Sequence, residues 1–315
     1  WRAKLISSRD GSVLRSWTSE VGGGALGSSV DFLGDLDGDG VDELALGAPP
    51  RGVRIVSGAS GAELACIDDG SPEPDFGSYV RALGDLDGDG VREWLVECGD
   101  SSSAPARIYS GLGKAAPLTL DTGRGWGGAA GDLDGDGRPD LYFDTFAKDS
   151  YERAGGVRCF SGRDGRELFT LAYPDWAPSS YGCTAALGDL DGDGFAEIGV
   201  GDPNFHLRGP GDPGFTSARS IFIERMSLEV ALRVDSDPWC AFTHESGCAW
   251  IYSGKTRKVI WGAWAPPGSR EGLGYQMARL DDVSGDGWPD IAVTSGDKLF
   301  VFRGPGRDPT LPRER

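Results

Sequence analysis

The sequence predicts an all-β chain built as a β-propeller, and three observations carry that expectation. A short Asp-rich segment recurs five times, each copy runs into alternating strand-like residues, and the copies stand about one blade apart. Their first acids fall at 35, 85, 132, 189 and 282, so the intervals are 50, 47, 57 and 93 residues. A period near 50 that holds several short strands suits one propeller blade. Helical repeats would show a 3.6-residue apolar period instead.

The first copy reads Asp35-Leu36-Asp37-Gly38-Asp39-Gly40, followed by Val41 and Glu43. The second places Asp85, Asp87 and Asp89 with Val91 and Glu93, and the third Asp132, Asp134 and Asp136 with Arg138 and Asp140. The fourth has Asp189, Asp191, Asp193, Phe195 and Glu197. The fifth has Asp282, Ser284, Asp286, Trp288 and Asp290, with a hydroxyl in the second ligand place. Oxygen donors at every second residue wrap a hard cation, and Ca2+ takes about 6–8 oxygens at roughly 2.3–2.6 Å. Glycine at the sixth position permits a bend that a side chain would obstruct. The seventh residue varies freely, which suits a backbone carbonyl ligand, and the acid at the ninth closes the cage. About five Ca2+ ions are expected. Mg2+ fits less well because it keeps more of its water.

Two competing readings share part of this pattern. An EF-hand needs a bidentate Glu at position 12 and flanking helices, but position 12 here is Leu46, Val96, Phe143, Val200 and Val293. Positions 10 and 12 are apolar in every copy, which is strand periodicity with one face committed to a core. A plain Asp-Gly hairpin without metal would explain a single copy. It does not explain five, because clustered carboxylates repel and make a poor turn. The loop therefore belongs between two strands.

A second recurring element is an apolar strand entering a Ser-Gly turn: Val53 to Gly61, Ile108 to Gly113, Val157 to Gly165 and Trp250 to Gly254. The opening stretch, Leu5 to Gly11, has the same form. Each blade thus reads as an inner strand, the Asp-rich loop, a second strand, a Ser-Gly hairpin and an outer strand. The long interval from 189 to 282 is read as an insertion, residues 203–248, within the fourth blade. It holds a Gly/Pro-rich loop, an apparent hairpin over Ile221 to Val234 and a short Cys240–Cys248 loop. The N-terminal hairpin is expected to close the ring by joining strands Ile291–Thr294 and Leu299–Arg303. Residues 1–315 then form one domain, with six or seven blades, some degenerate, as the alternative.

An apolar or aromatic residue plus Gly precedes the loops, as in Phe76-Gly77, Trp126-Gly127, Tyr181-Gly182 and Leu273-Gly274. Gly47-Ala48-Pro49 follows the first loop and Gly201-Asp202-Pro203 the fourth. With these elements the chain resembles the FG-GAP repeat, integrin-α-like β-propeller family over nearly its whole length. The resemblance implies that the loop acids bind calcium between the first two strands of a blade. It also implies an extracellular setting and binding of protein or sugar. Copies two, three and five depart from it by lacking the Gly-Ala-Pro element.

The formal charge of −18 argues against nucleic acid as a partner, since such surfaces are basic. Nineteen of the 49 acids are loop ligands, and five bound Ca2+ would bring the charge to −8. No apolar stretch reaches membrane-spanning length, and the start at Trp1 without Met suggests a processed product. Arg far outnumbers Lys, which points to a GC-rich bacterial genome. Six cysteines without metal-ligand spacing, together with calcium loops, point outside the cytoplasm. Loop spacing suggests the pairs Cys240–Cys248, Cys66–Cys98 and Cys159–Cys183, although six cysteines allow fifteen connectivities.

The function expected from these readings is a non-catalytic extracellular module for adhesion or for protein or glycan binding. Calcium would hold its scaffold. The 203–248 segment is its most distinctive surface, with Phe205, His206, Phe215, Trp239, Phe242 and His244, although these residues would equally pack the insertion onto its blade. The alternative is a structural subunit whose partner is another copy, in a surface layer, filament or larger multidomain assembly. A propeller enzyme acting on polysaccharide is the weakest reading. The only histidines are His206 and His244, and no Gly-x-Ser-x-Gly elbow, phosphate loop or HExxH helix is present. An Arg-Gly-Asp sequence and a DxSxS adhesion site are also missing.

Overall fold

The computed structural model describes residues 1–19, 25–50, 52–68, 75–98, 104–123, 125–146, 153–172, 183–203, 247–264, 272–296 and 298–306. Among them every regular element is a strand, and all strand pairs are antiparallel. No helix of the described residues is long and apolar enough to cross a membrane. Six separate sheets account for the strands. The first, β1 (Arg2–Ile6) with β2 (Val13–Thr18), is a hairpin.

Four four-stranded sheets follow. The first runs β3 (Val30–Gly34), β4 (Glu43–Gly47), β5 (Val53–Val56), β6 (Glu63–Ile67). The second contains β7 (Tyr79–Gly84), β8 (Glu93–Glu97), β9 (Ala106–Ser110) and β10 (Leu118–Leu120). The third has β11 (Gly127–Gly131), β12 (Asp140–Phe146), β13 (Arg153–Phe160) and β14 (Glu167–Ala172). The fourth has β15 (Thr184–Gly188), β16 (Glu197–Asp202), β17 (Cys248–Tyr252) and β18 (Val259–Trp264). The last sheet has three strands, β19 (Leu273–Leu280), β20 (Asp290–Ser295) and β21 (Lys298–Arg303). Each Asp-rich loop joins the first two strands of its sheet, and the Ser-Gly turns join the last two in the four-stranded sheets. The third strand of each of these sheets is the apolar strand expected to enter the Ser-Gly turn. Among the described residues, β1 and β2 pair only with each other, and β19 to β21 form a sheet of their own.

The chain divides into two compact units, residues 1–129 with 162–166 and residues 130–161 with 167–315. In the first, Leu44 and Leu46 of β4 enter a cluster with Leu26 and Val56, against which Ala3, Leu5 and Trp17 of the hairpin pack. Ala45, on the opposite face of β4, joins Val53, Ile55, Phe76, Val80 and Trp94 in another core. The second strand is therefore buried at every position, not on one face as its alternation suggested. The Trp17 indole also donates to the Gly61 carbonyl at 2.8 Å, so the hairpin is anchored to the first blade's outer turn. In the second unit, Ile198 and Val200 of β16 meet Val157, Leu171 and Trp250 on one side. Leu187, Ile251, Leu273 and Met277 form the neighbouring core.

Adjacent sheets meet through glycines, which gives the recurring dipeptides a physical reason. Phe76 is buried, and Gly77 has φ +88° with the Gly52 carbonyl oxygen 2.2 Å from where a Cβ would lie. A Cβ on Gly47 would meet the Gly77 carbonyl at 2.3 Å, and one on Gly201 the Gly274 carbonyl at 2.2 Å. The glycine before one loop thus faces the glycine after the preceding one. Leu26-Gly27 stands ahead of the first loop with Leu26 buried and φ +84° at Gly27, but a Cβ there would meet only Ala3, at 3.5 Å. Replacing Gly77 with Ala is expected to cost roughly 2–3 kcal/mol, from left-handed strain and overpacking together. Urea unfolding of G77A should show it as a lower midpoint with an unchanged slope.

Strands β16 and β17 are register neighbours, Asp202 opposite Cys248, so the chain after 203 leaves and re-enters a single sheet. The aromatic and histidine residues named between Phe205 and His244, Cys240, and the hairpin expected over Ile221 to Val234 lie outside the described residues. Two disulfide expectations are corrected. Cys66 and Cys159 are free thiols, so neither Cys66–Cys98 nor Cys159–Cys183 is bonded. Cys66 is exposed on β6 while Cys98 packs in the core beside Trp94 and Val96. Cys159 belongs to the core around Trp250, whereas Cys183 packs against the one around Met277.

Candidate metal centre

The loops are shaped by their own carboxylates accepting backbone N–H groups. In every copy the first Asp accepts from the glycine at position 4 through Oδ1, at 2.6–2.7 Å. Its Oδ2 accepts from the glycine at position 6, at 2.7–3.0 Å. The Asp at position 5 accepts from the residue at position 7, at 2.7–3.0 Å. Both loop glycines have positive φ, for example +82° at Gly38 and +87° at Gly40, so position 4 needs glycine as much as position 6 does. The glycine before the loop was not singled out from the sequence. Gly34, Gly84, Gly131 and Gly188 all take positive φ, and a register shift beside Gly34, Gly84 and Gly188 turns the strand into its loop. Its recurrence just ahead of the first Asp was the available signal. The fifth copy has Asp281 there.

The ninth-position acids are built differently. One carboxylate oxygen accepts the N–H of position 2: Leu36 to Glu43 at 2.5 Å, Leu86 to Glu93 at 2.8 Å, Leu133 to Asp140 at 2.7 Å and Leu190 to Glu197 at 2.6 Å. Asp290 accepts from Val283 at 2.9 Å and Ser284 at 2.7 Å. The other oxygen is buried without a hydrogen-bond partner in Glu43, Glu93, Glu197 and Asp290. A buried carboxylate oxygen left unpaired costs on the order of 1–3 kcal/mol or more, which a cation at the loop or a proton on the acid would relieve. Burial, and then the neighbouring Asp191, Asp193 and Asp189, push the Glu197 carboxyl up to about 8. Burial likewise raises Glu43 and Glu93.

Acid oxygens converge in four loops: Asp35, Asp37 and Asp39; Asp85, Asp87 and Glu93; Asp132, Asp134 and Asp136; Asp189, Asp191 and Glu197. Within each set they lie no more than 4.8 Å apart, the separation of two oxygens on opposite sides of an ion bound at roughly 2.4 Å. The fifth loop has no such set among the described residues, because Ser284 replaces one acid. It keeps the buried Asp290 and the turn around Asp282, whose carboxyl is held below its usual range first by the Gly287 N–H. Hard oxygen donors with an orphaned buried acid fit Ca2+; the converging sets are drawn from the sequence-expected acids but leave out Glu43, Asp89, Asp140 and Asp193.

No protein-family model matches the chain, and no curated protein matches it. Among solved structures it is similar to the crystal structure of BBS1N in complex with ARL6DN, soaked with lead. The TM-score is 0.50 at 10% identity, with 93% of this chain and 70% of that chain covered. Identity that low speaks to fold alone, and the likeness accords with a propeller-like all-β architecture.

Proposed function

We propose that this chain is a non-catalytic, extracellular β-propeller whose five Asp-rich loops hold Ca2+ as a structural ion and whose surface loops bind a protein or glycan. The buried, unpartnered carboxylate oxygens of Glu43, Glu93, Glu197 and Asp290 carry the calcium reading. Among the described residues no donor reaches these oxygens, and a divalent cation at the loop would compensate them. The resemblance to FG-GAP repeats supports the same assignment, and the N-terminal hairpin is the element proposed to complete the ring of five loop-bearing blades. Loops at strand ends are where a propeller offers variable contacts, and the 203–248 segment is the long interval of sequence between the paired strands β16 and β17.

A second reading, assembly of copies, is favoured by β21. It ends its sheet with Leu299 and Val301 exposed, an apolar edge that suits strand pairing. Equilibrium dialysis should find about five Ca2+ per chain, and a glycan and protein array in calcium should retain a ligand on the monomer. Calcium-dependent polymers on size exclusion without array binding would favour assembly. Fewer than two bound ions would sink the calcium reading.

A further inference from the structure

The fourth loop holds a cation against one of its own acids. The Lys255 ammonium lies 3.7 Å from Asp193 Oδ2, and the Asp193 side chain is fully buried. That oxygen has no hydrogen-bond donor, so the ammonium is its recorded electrostatic partner. Lys255 follows the Ser253-Gly254 turn, and its Nζ sits 5.3 Å from the centre of the Phe195 ring at loop position 7. The ring and the aspartate fix it on two sides. The corresponding place after the Ser-Gly turn is Ala59 in the first blade, Leu112 in the second and Arg163 in the third. The fifth loop also has a cation nearby, Arg303 Nε at 3.9 Å from Asp286 Oδ2, but Arg303 is 73% exposed and Asp286 is not fully buried. Solvent screens that pair far more than one whose carboxylate is out of water.

The converging oxygens of the fourth loop come from Asp189, Asp191 and Glu197, while Asp193 faces the ammonium. We infer that Lys255 is an intramolecular counter-ion that competes with the metal ion for Asp193 and weakens calcium binding at the fourth loop. This rests on the calcium reading of the loops. A divalent ion entering this loop meets a fixed positive charge and must draw Asp193 away from it. The same ammonium holds the acidic loop together when the ion is absent. The fourth site would therefore release its ion at higher calcium than it would without Lys255, and it lies in the sheet whose strands β16 and β17 flank the long insertion.

Calorimetric calcium titration of wild type, Lys255→Met and Lys255→Arg at low ionic strength tests this. Methionine keeps an unbranched stem over Phe195 and removes only the charge. Trp288 of the fifth loop reports locally, since its ring lies 3.2 Å from where a Cβ on Gly192 of the fourth loop would sit. Its emission is isolated by difference against Trp288→Phe. The expected result is an unchanged ion count, with one binding step about tenfold tighter in K255M and unchanged in K255R. That gain should shrink as salt is added, and the Trp288 transition should move with it. Equal or weaker binding in K255M, with the calcium-loaded melt intact, would overturn the role of Lys255 and leave the calcium reading standing. No calcium uptake by any of the three proteins would overturn both.

Discussion

Chelation is expected to lower the melting temperature by roughly 20 °C. Each loop that binds Ca2+ only in the folded state adds about 2.7 kcal/mol when free calcium is 100 times the dissociation constant. Five loops together reach on the order of 10 kcal/mol, comparable with the whole stability of an ordinary domain. The apo state also bears its own penalty, because Glu43, Glu93, Glu197 and Asp290 keep a buried oxygen without a partner. At about 2 °C per kcal/mol for a chain of this size, the combined loss is large. Differential scanning fluorimetry in millimolar calcium and then in excess EDTA measures it, with a magnesium arm to separate the two ions. Magnesium should restore little, since it retains water where these loops offer protein oxygens. A melt indifferent to EDTA would end the structural-calcium reading.

The loops were legible because their chemistry is local. Acids at alternate positions, a glycine bend and a ninth-position acid all sit within nine residues, and the hydrogen bonds that shape them follow that spacing. The strands after them were legible for the same reason. What could not be read was set by packing between sheets. Burial of both faces of β4 depends on which cores flank it, and alternation alone implies a wet face. The disulfide expectations failed because sequence spacing says nothing of facing direction: Cys159 and Cys183 pack into different cores. Position 4 of the loop repeats as faithfully as position 6, and the glycine ahead of the loop recurs in four of the five copies. Only the φ values show what they permit.

The missing Gly-Ala-Pro element in the second and third copies leads to the other large effect. Where the first and fourth copies place Gly47 and Gly201 against a neighbouring glycine, the second places Glu97 and the third Asp144, both buried. Glu97 Oε2 accepts the N–H of Gly127, the glycine of Trp126-Gly127, at 3.4 Å. Asp144 Oδ2 accepts from the Thr184 hydroxyl at 3.2 Å. A carboxyl thus replaces a glycine contact with a hydrogen bond across the same seam. Burial pushes the Glu97 carboxyl up to about 8 from 4.5, against the Gly127 N–H and the more distant Arg81, which pull the other way. Between those pH values the folded chain holds a proton that the unfolded chain has released. Its contribution to stability is therefore complete below pH 4.5 and is lost as pH rises through 8. At about 1.4 kcal/mol per pKa unit, the loss approaches 4–5 kcal/mol by pH 9. Glu97→Gln keeps an oxygen for Gly127 and removes the titration. Urea unfolding in saturating calcium should find E97Q close to wild type at pH 5 and several kcal/mol more stable at pH 9, with the difference opening between pH 5 and 8. A pH-independent difference would mean that Glu97 stays ionised in the folded chain, and the seam would then have to supply a stronger partner for it than Gly127.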